Sequence, residues 1–277
     1  MTPVTVLGLG PMGRALTAAF AVHHPTTAWN RTPGKGDDLN ATIAETAAEA
    51  IAASPLVVVC VLDYQAARSV LDADTLKGRV LVNLSGGSPR QARELAAWAA
   101  GHGIGYLDGL IMGVPADIGG PEATLLFSGP KDVYEAHRPT LAALSENATY
   151  VGEDPGRAAG FDAAMLDAFW TSLIGIVHAF RLAAAESIAP SDIAGYVKVA
   201  TGFLPDLIDV VAEHLTADHY PGDESTLVSA AASMDHVLHT IQANDLDNGV
   251  LSSARAVVQR AIDAGHGEAS FTRLATL

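Results

Sequence analysis

Cysteine is almost absent. A single residue, Cys60, stands in 277, so no intramolecular disulfide can staple the chain, and no histidine spacing around it reads as a metal site. Cations are scarce as well: 16 Lys+Arg face 31 Asp+Glu, a formal net charge of −15. A nucleic-acid surface needs clustered cations to displace condensed counterions, whereas the basic residues here are scattered apart from the Arg31/Lys35 pair. The same imbalance disfavours an anionic membrane surface. Long unbroken apolar runs are lacking too. The longest, Leu166 to Ala185, is interrupted by Asp167, His178 and Arg181, which are expensive in hydrocarbon, so no transmembrane helix is expected. The N-terminus enters a strand directly, without the charged, apolar and cleavage regions of a signal peptide, and the expected compartment is the cytoplasm.

What is present is core-forming material. Hydrophobic residues make up 49% of the chain, which supports a large core and excludes intrinsic disorder. The first half alternates β-branched runs with alanine-rich helical stretches, as a parallel sheet with crossover helices requires. Strands are expected at Val4 to Leu9, Thr26 to Trp29, Leu56 to Leu62, Val80 to Leu84, Gly105 to Asp108 and Ala123 to Ser128. Helices are expected near Pro11 to Val22, Ala44 to Ala53, Tyr64 to Leu71 and Pro89 to Gly101. From about residue 157 onward the strand signal gives way to helical periodicity, broken by Pro190, Gly202, Pro205 and the segment 218–223. The expected fold is therefore an α/β Rossmann domain, residues 1–155, followed by an all-α part.

Gly8-Leu9-Gly10-Pro11-Met12-Gly13 directly follows the first strand and opens the first helix. In that context the first glycine permits the turn, the second admits a pyrophosphate to the backbone, and the third lets helix pack on strand. The helix N-terminus adds free N–H groups and partial positive charge. The second strand then ends Trp29-Asn30-Arg31-Thr32, with Lys35 close behind, where an NAD site commonly carries a carboxylate for the ribose 2′-hydroxyl. With no carboxylate there and a guanidinium able to fork onto a 2′-phosphate, the expected cofactor is NADPH, held also by Asn30, Thr32 and Lys35. The bland alternative is that Arg31 and Lys35 are solvated loop cations.

Four motifs taken in order carry a resemblance: the glycine fingerprint, the Trp29-Asn30-Arg31-Thr32 turn, the Asn83-Leu84-Ser85-Gly86-Gly87-Ser88-Pro89 loop and Gly113-Val114-Pro115. Together, and with the Gly265-His266-Gly267-Glu268 tail, they resemble the NADPH-dependent imine reductases and reductive aminases, relatives of the β-hydroxyacid dehydrogenases. In the dehydrogenase pattern a catalytic lysine falls six residues after the first of two close glycines. Here that register, counted from Gly156, holds Asp162, and no lysine occurs between Lys131 and Lys198. The resemblance implies that Asp162 protonates or anchors a substrate nitrogen, that Leu62, Asn83 and Ser85 serve the cofactor, and that a long interdomain helix (156–187) leads to a helical substrate and dimerisation domain (188–277). It also implies a domain-swapped homodimer with Phe203 lining the cleft from the partner.

Helical geometry supports an inward Asp162. At 100° per residue, Met165, Leu166, Phe169, Leu173, Ile176 and Phe180 fall within about 60° of it, and desolvation on such a stripe raises a carboxyl pKa. A solvated carboxylate at a helix start would instead have its pKa lowered by the macrodipole. Phe169 and Trp170 are expected to wall the substrate pocket, although Trp170 would be equally at home as a core aromatic. Ser85 and Ser88 either orient cofactor or substrate or simply cap the loop. The expected function is NADPH-dependent reduction of a cyclic or hydrophobic imine, with reductive amination as an extension and small imines, amines and carbonyls as partners. The alternatives are a β-hydroxyacid dehydrogenase variant and a non-catalytic NADPH-binding protein.

Overall fold

The β-branched runs need cover on both faces, and the computed structural model, which describes Met1 to Leu277, supplies it with helices. In chain order β1 (Val4–Leu7), α1 (Pro11–His23), β2 (Thr26–Trp29), β3 (Thr42–Ile43), α2 (Ala47–Ala52) and β4 (Leu56–Val59) come first. They are followed by α3 (Tyr64–Val70), α4 (Ala73–Leu76), β5 (Val80–Asn83), α5 (Pro89–Gly101) and β6 (Gly105–Met112). Then come β7 (Thr124–Ser128), α6 (Lys131–Leu141) and β8 (Asn147–Gly152). The eight strands form one sheet in the order β3-β2-β1-β4-β5-β6-β7-β8, parallel throughout except for the β6–β7 pair.

All four residues of β4 are fully buried, and successive side chains enter opposite layers. Val57 and Val59 pack with Leu7, Ile51 and Leu81, whereas Leu56 and Val58 pack with Val4, Phe20 and Leu107. From β1 the chain runs outward to β2, then returns to place β4 on the other side. This reversal opens a crevice at the carboxyl ends of β1 and β4, the place where doubly wound sheets bind ligands.

Several boundaries differ from the sequence reading for local reasons. Strand β1 stops at Leu7 because Gly8 turns at φ +103°, and β4 stops at Val59, leaving Leu62 exposed. No helix follows Lys35: turns lead straight into the two-residue β3. Helix α2 begins at Ala47, fixed by a capping box in which Thr46 accepts from the Glu49 amide and Glu49 accepts from that of Thr46. Strand β6 continues past Asp108 to Met112 because its second half pairs with β7. Helices α4 and α6 and strand β8 lay outside the expectation. Helix α6 carries an internal Pro139, and β8 is a sheet-edge strand with little buried surface.

The 29-residue α7 (Arg157–Ala185) leads into α8 (Pro190–Thr201), α9 (Leu204–Ala217), α10 (Leu227–Ala243) and α11 (Gly249–Ala261). Two compact units divide within α7, at Asp167/Ala168. The second has a small core of Leu227, Ala231, Val258 and Ala261. Pro190 starts α8, Gly202 caps its end, and Asp218, at φ +47°, terminates α9 in the left-handed region. The apolar stripe of α7 that was expected to pack inward lies partly open within the single chain. Leu166, Phe169 and Leu173 of that stripe are exposed while Met165, Ile176 and Phe180 are half-buried. Trp170, Ile174 and Val177 beside it are half exposed or more, and α7 is long and apolar enough to cross a membrane on those criteria alone.

One contact sets where α1 begins. A Cβ at Gly13 would stand 2.0 Å from the Gly8 carbonyl oxygen, so the helix approaches the β1 turn only with glycine there. Gly13→Ala is expected to cost about 1–3 kcal/mol of stability through overpacking. A lowered thermal midpoint together with weakened dinucleotide binding, read by calorimetry, checks it.

Candidate active site

The glycine turn and the end of β2 form one wall each of a groove of about 450 Å³. Gly8, Gly10, Pro11, Met12 and Gly13 line it on one side, Asn30, Arg31, Thr32 and Lys35 on the other, with Leu62 at the rim. No side chain caps α1 and Pro11 has no N–H, so the first-turn amides remain for a ligand. A Cβ at Gly10 would meet nothing within 4 Å, which leaves the open space that a pyrophosphate needs. Arg31 and Lys35 are exposed and make no ion pair, whereas Arg14 is engaged by Asp38 at 2.5 Å, which holds the Asp38 carboxyl below the usual carboxylate range. Two uncommitted cations and no carboxylate at the end of β2 fit a 2′-phosphate.

Two of the expected cofactor residues act at one remove. Leu9 is buried away from the groove, and its N–H donates to Asn30 Oδ1 at 2.9 Å. Asn30 Nδ2 in turn donates to the Thr32 carbonyl at 2.9 Å, so this amide is spent in clipping the phosphate turn to the 2′-phosphate loop.

A second cavity, about 250 Å³, adjoins the groove: Met12, Cys60 and Val61 line both. Ser85, Gly86 and Gly87 from the loop after β5 and Asp162 from α7 complete it, with Asp108 from β6. Ser85 Oγ accepts the Val61 N–H at 3.1 Å, and Asn83 Oδ1 accepts the Ser85 N–H at 3.2 Å, which fixes the loop. Asn83 itself is fully buried beneath the cavity. Ser88 is exposed and outside the lining. Its hydroxyl donates to Gln91 Oε1 at 2.9 Å and accepts the Gln91 N–H at 3.3 Å, capping α5, so the expected pocket role falls to its neighbours. Phe169, Trp170 and Phe203 belong to the second compact unit and are exposed there. The first two meet edge to face at 5.1 Å.

Asp162 is half-buried, forms no hydrogen bond or ion pair, and burial pushes its carboxyl above the ordinary aspartate value. The sequence reading missed its companion. Asp108 is 1% exposed, and three donors converge on its Oδ1: the Tyr64 hydroxyl at 2.5 Å, the Tyr106 hydroxyl at 2.7 Å and Asn83 Nδ2 at 3.1 Å. Burial pushes Asp108 up to about 6. The three donors oppose that shift, and the negative charge of Asp162 adds to it. A signal for it was available, because a lone carboxyl inside the apolar run from Tyr106 to Leu110 is costly to bury unless donors meet it.

The comparisons with known proteins converge on one group. Residues 3–152 match the NAD binding domain of 6-phosphogluconate dehydrogenase, and residues 154–277 match the NADPH-dependent reductive aminase-like C-terminal domain. The NADPH-dependent reductive aminase of Aspergillus oryzae is 30% identical over 274 residues, 95% of this chain and 92% of its own. The chain belongs to the imine reductase and reductive aminase family. Among solved members, the imine reductase from Myxococcus stipitatus in complex with NADP+ superposes with a TM-score of 0.94 at 34% identity, covering 99% of each chain. The reductive aminase from Aspergillus terreus in complex with NADPH and ethyl levulinate gives 0.92 at 30% identity, covering 100% of this chain and 99% of its own. This imine reductase homologue is thus an NADPH-dependent oxidoreductase acting on C=N bonds.

The geometry separates two kinds of cofactor variant. Arg31→Ala is expected to weaken NADPH by about tenfold or more, the loss of a charge-assisted pair, while leaving NADH nearly unchanged. Asn30→Ala frees the glycine turn and is expected to weaken both cofactors alike. Dissociation constants from fluorescence titration distinguish the two patterns.

Proposed function

We propose that this enzyme reduces the C=N bond of a cyclic or otherwise hydrophobic imine, with Asp162 protonating or anchoring the substrate nitrogen. The observation that carries the assignment is Asp162 itself, an unpartnered carboxyl lining an otherwise mainly apolar cavity that shares its wall with the dinucleotide groove. NADPH, when bound, supplies the hydride to the imine carbon. The imine nitrogen first takes its proton from the Asp162 carboxyl, and the π pair of the iminium so formed settles on nitrogen as the hydride arrives. Amine and NADP+ result, and water reloads the carboxylate. Met12, Val61, Leu84 and Leu110 exclude water and suit an apolar substrate. No lysine stands where the dehydrogenase relatives would need one.

NADPH absorbance followed with a preformed pyrroline, with NADH and a ketone alone as controls, tests the reaction class. Asp162→Asn is expected to lower kcat/KM for a protonatable imine by about 10²–10⁴-fold, the usual worth of a positioned acid. NADPH affinity should not change. An unaltered rate would remove Asp162 from the mechanism.

The open face of α7 supports a homodimer in which the partner's helical domain, with Phe203, Phe169 and Trp170 among its residues, completes the substrate cleft. A groove of about 470 Å³ lined by Ile174, Val177, Val250 and Leu251 extends that apolar face. Exposed apolar area on this scale marks an interface, and Asp167, His178 and Arg181 on the same helix make protein a better cover than lipid. Light scattering should give twice the 28.6 kDa chain mass, and Val177→Asp should halve it while abolishing turnover. The cytoplasm, where the lone Cys60 stays reduced, is the compartment that we assign.

A further inference from the structure

Asp108 plays no part in the proton transfer proposed above, yet its place in the cavity is costly. Its Oδ1 is saturated by Tyr64, Tyr106 and Asn83, whereas Oδ2 accepts no hydrogen bond from the protein. The residue is otherwise buried and lines the same small cavity as Asp162. Room for the shortest of these bonds comes from Gly87: a Cβ there would stand 2.2 Å from Tyr64 Cδ2, so the loop passes over the ring only as glycine. The groups facing Asp108 are Tyr64 from α3, Asn83 from β5, Tyr106 from its own strand, Cys60 beyond β4 and Asp162 from α7. None of them is a cation, and the cavity lining holds no lysine, arginine or histidine.

Two carboxyls in a cation-free cavity favour a positively charged guest. An iminium is such a guest, while a ketone is neutral and builds negative charge on oxygen as hydride arrives, toward carboxylates that repel it. We propose that Asp108 is a specificity-determining residue, which selects a cationic nitrogen over a neutral carbonyl by presenting Oδ2 to the substrate. This rests on the imine-reducing assignment but makes a separate claim, about binding. Its three donors keep the carboxylate ionised in a site that would otherwise neutralise it. Asp162 is then free to exchange a proton while Asp108 retains the charge.

The test uses the full-length protein saturated with NADP+, so that nothing is reduced. The probes are N,N-dimethyl-tetrahydroisoquinolinium, whose charge does not titrate, and neutral 1-tetralone, both followed by calorimetry. At pH 7.5, Asp108→Asn is expected to weaken the cation about tenfold or more, while tetralone changes less than about twofold. Wild-type affinity for the cation should rise with pH through about 6, as Asp108 ionises, and the variant should keep only the part of that rise that Asp162 supplies. Tyr64→Phe keeps the carboxyl but removes a donor. It should move the midpoint to higher pH and leave the high-pH affinity intact, an effect that a merely structural role would not produce. Equal weakening of both probes overturns the proposal, as does a change confined to the ratio of NADP+ to NADPH affinity, which would mean that Asp108 faces the cofactor. If cation binding responds as expected but no C=N compound is turned over, the selectivity stands and the proposed reaction fails.

Discussion

Everything that binds in the groove depends on how closely α1 approaches β1. The Gly8 carbonyl occupies the space that any side chain at position 13 would need, and that approach brings the uncapped first turn of α1 to the crevice between β1 and β4. A helix one side chain farther away would still have a dipole, but its amides would not face the mouth of the sheet. The Asn30 amide then fixes the second wall to the first. Neither interaction is large in energy, and both work by geometry, since charge-assisted phosphate recognition falls off steeply with misplacement.

The neighbouring cavity shows a different balance. It holds two carboxyls treated in opposite ways: Asp162 is left without hydrogen-bond partners, and Asp108 is held by three donors. In water the two side chains would be nearly equivalent acids. Here desolvation acts on both, and hydrogen bonding distinguishes them, so one residue type meets two different environments within a single cavity. The phenol groups of Tyr64 and Tyr106, themselves pushed well above the usual tyrosine value by burial and by the Asp108 charge, remain protonated donors around neutral pH.

Local signals made much of this legible before any coordinates. The strand-turn-helix setting of Gly8 to Gly13, the missing carboxylate after Trp29, the apolar run at β4 and the aspartate in the dehydrogenase lysine register all lie within short windows. The Asp108 cluster does not. Tyr64 lies 44 residues from Asp108 and Asn83 lies 25 away, and they meet only because β5 and β6 align Asn83 with Asp108 while the start of α3 brings the Tyr64 hydroxyl to the same carboxyl. Helix α6 was hidden by Pro139, and β8 by its short run of mixed polarity, none of which is fully buried. Asn30 and Ser88 were placed near the right features, but their side chains serve the backbone. Which of two nearby hydroxyls or amides a ligand will find free is decided by turns that sequence spacing alone does not resolve.

The register that aligns Asn83 with Asp108 continues one strand further, to Ser128. Ser128 Oγ accepts the Ala158 N–H at 3.0 Å and donates to the Pro155 carbonyl at 3.0 Å, stitching the first turn of α7 to the sheet. Asp162 therefore travels with the nucleotide-binding body, although it sits on the helix that leads out of it, and the compact units part only after Asp167. The spacing of the two acids is thus set wholly within the first compact unit, by the sheet and the stitched first turn of α7.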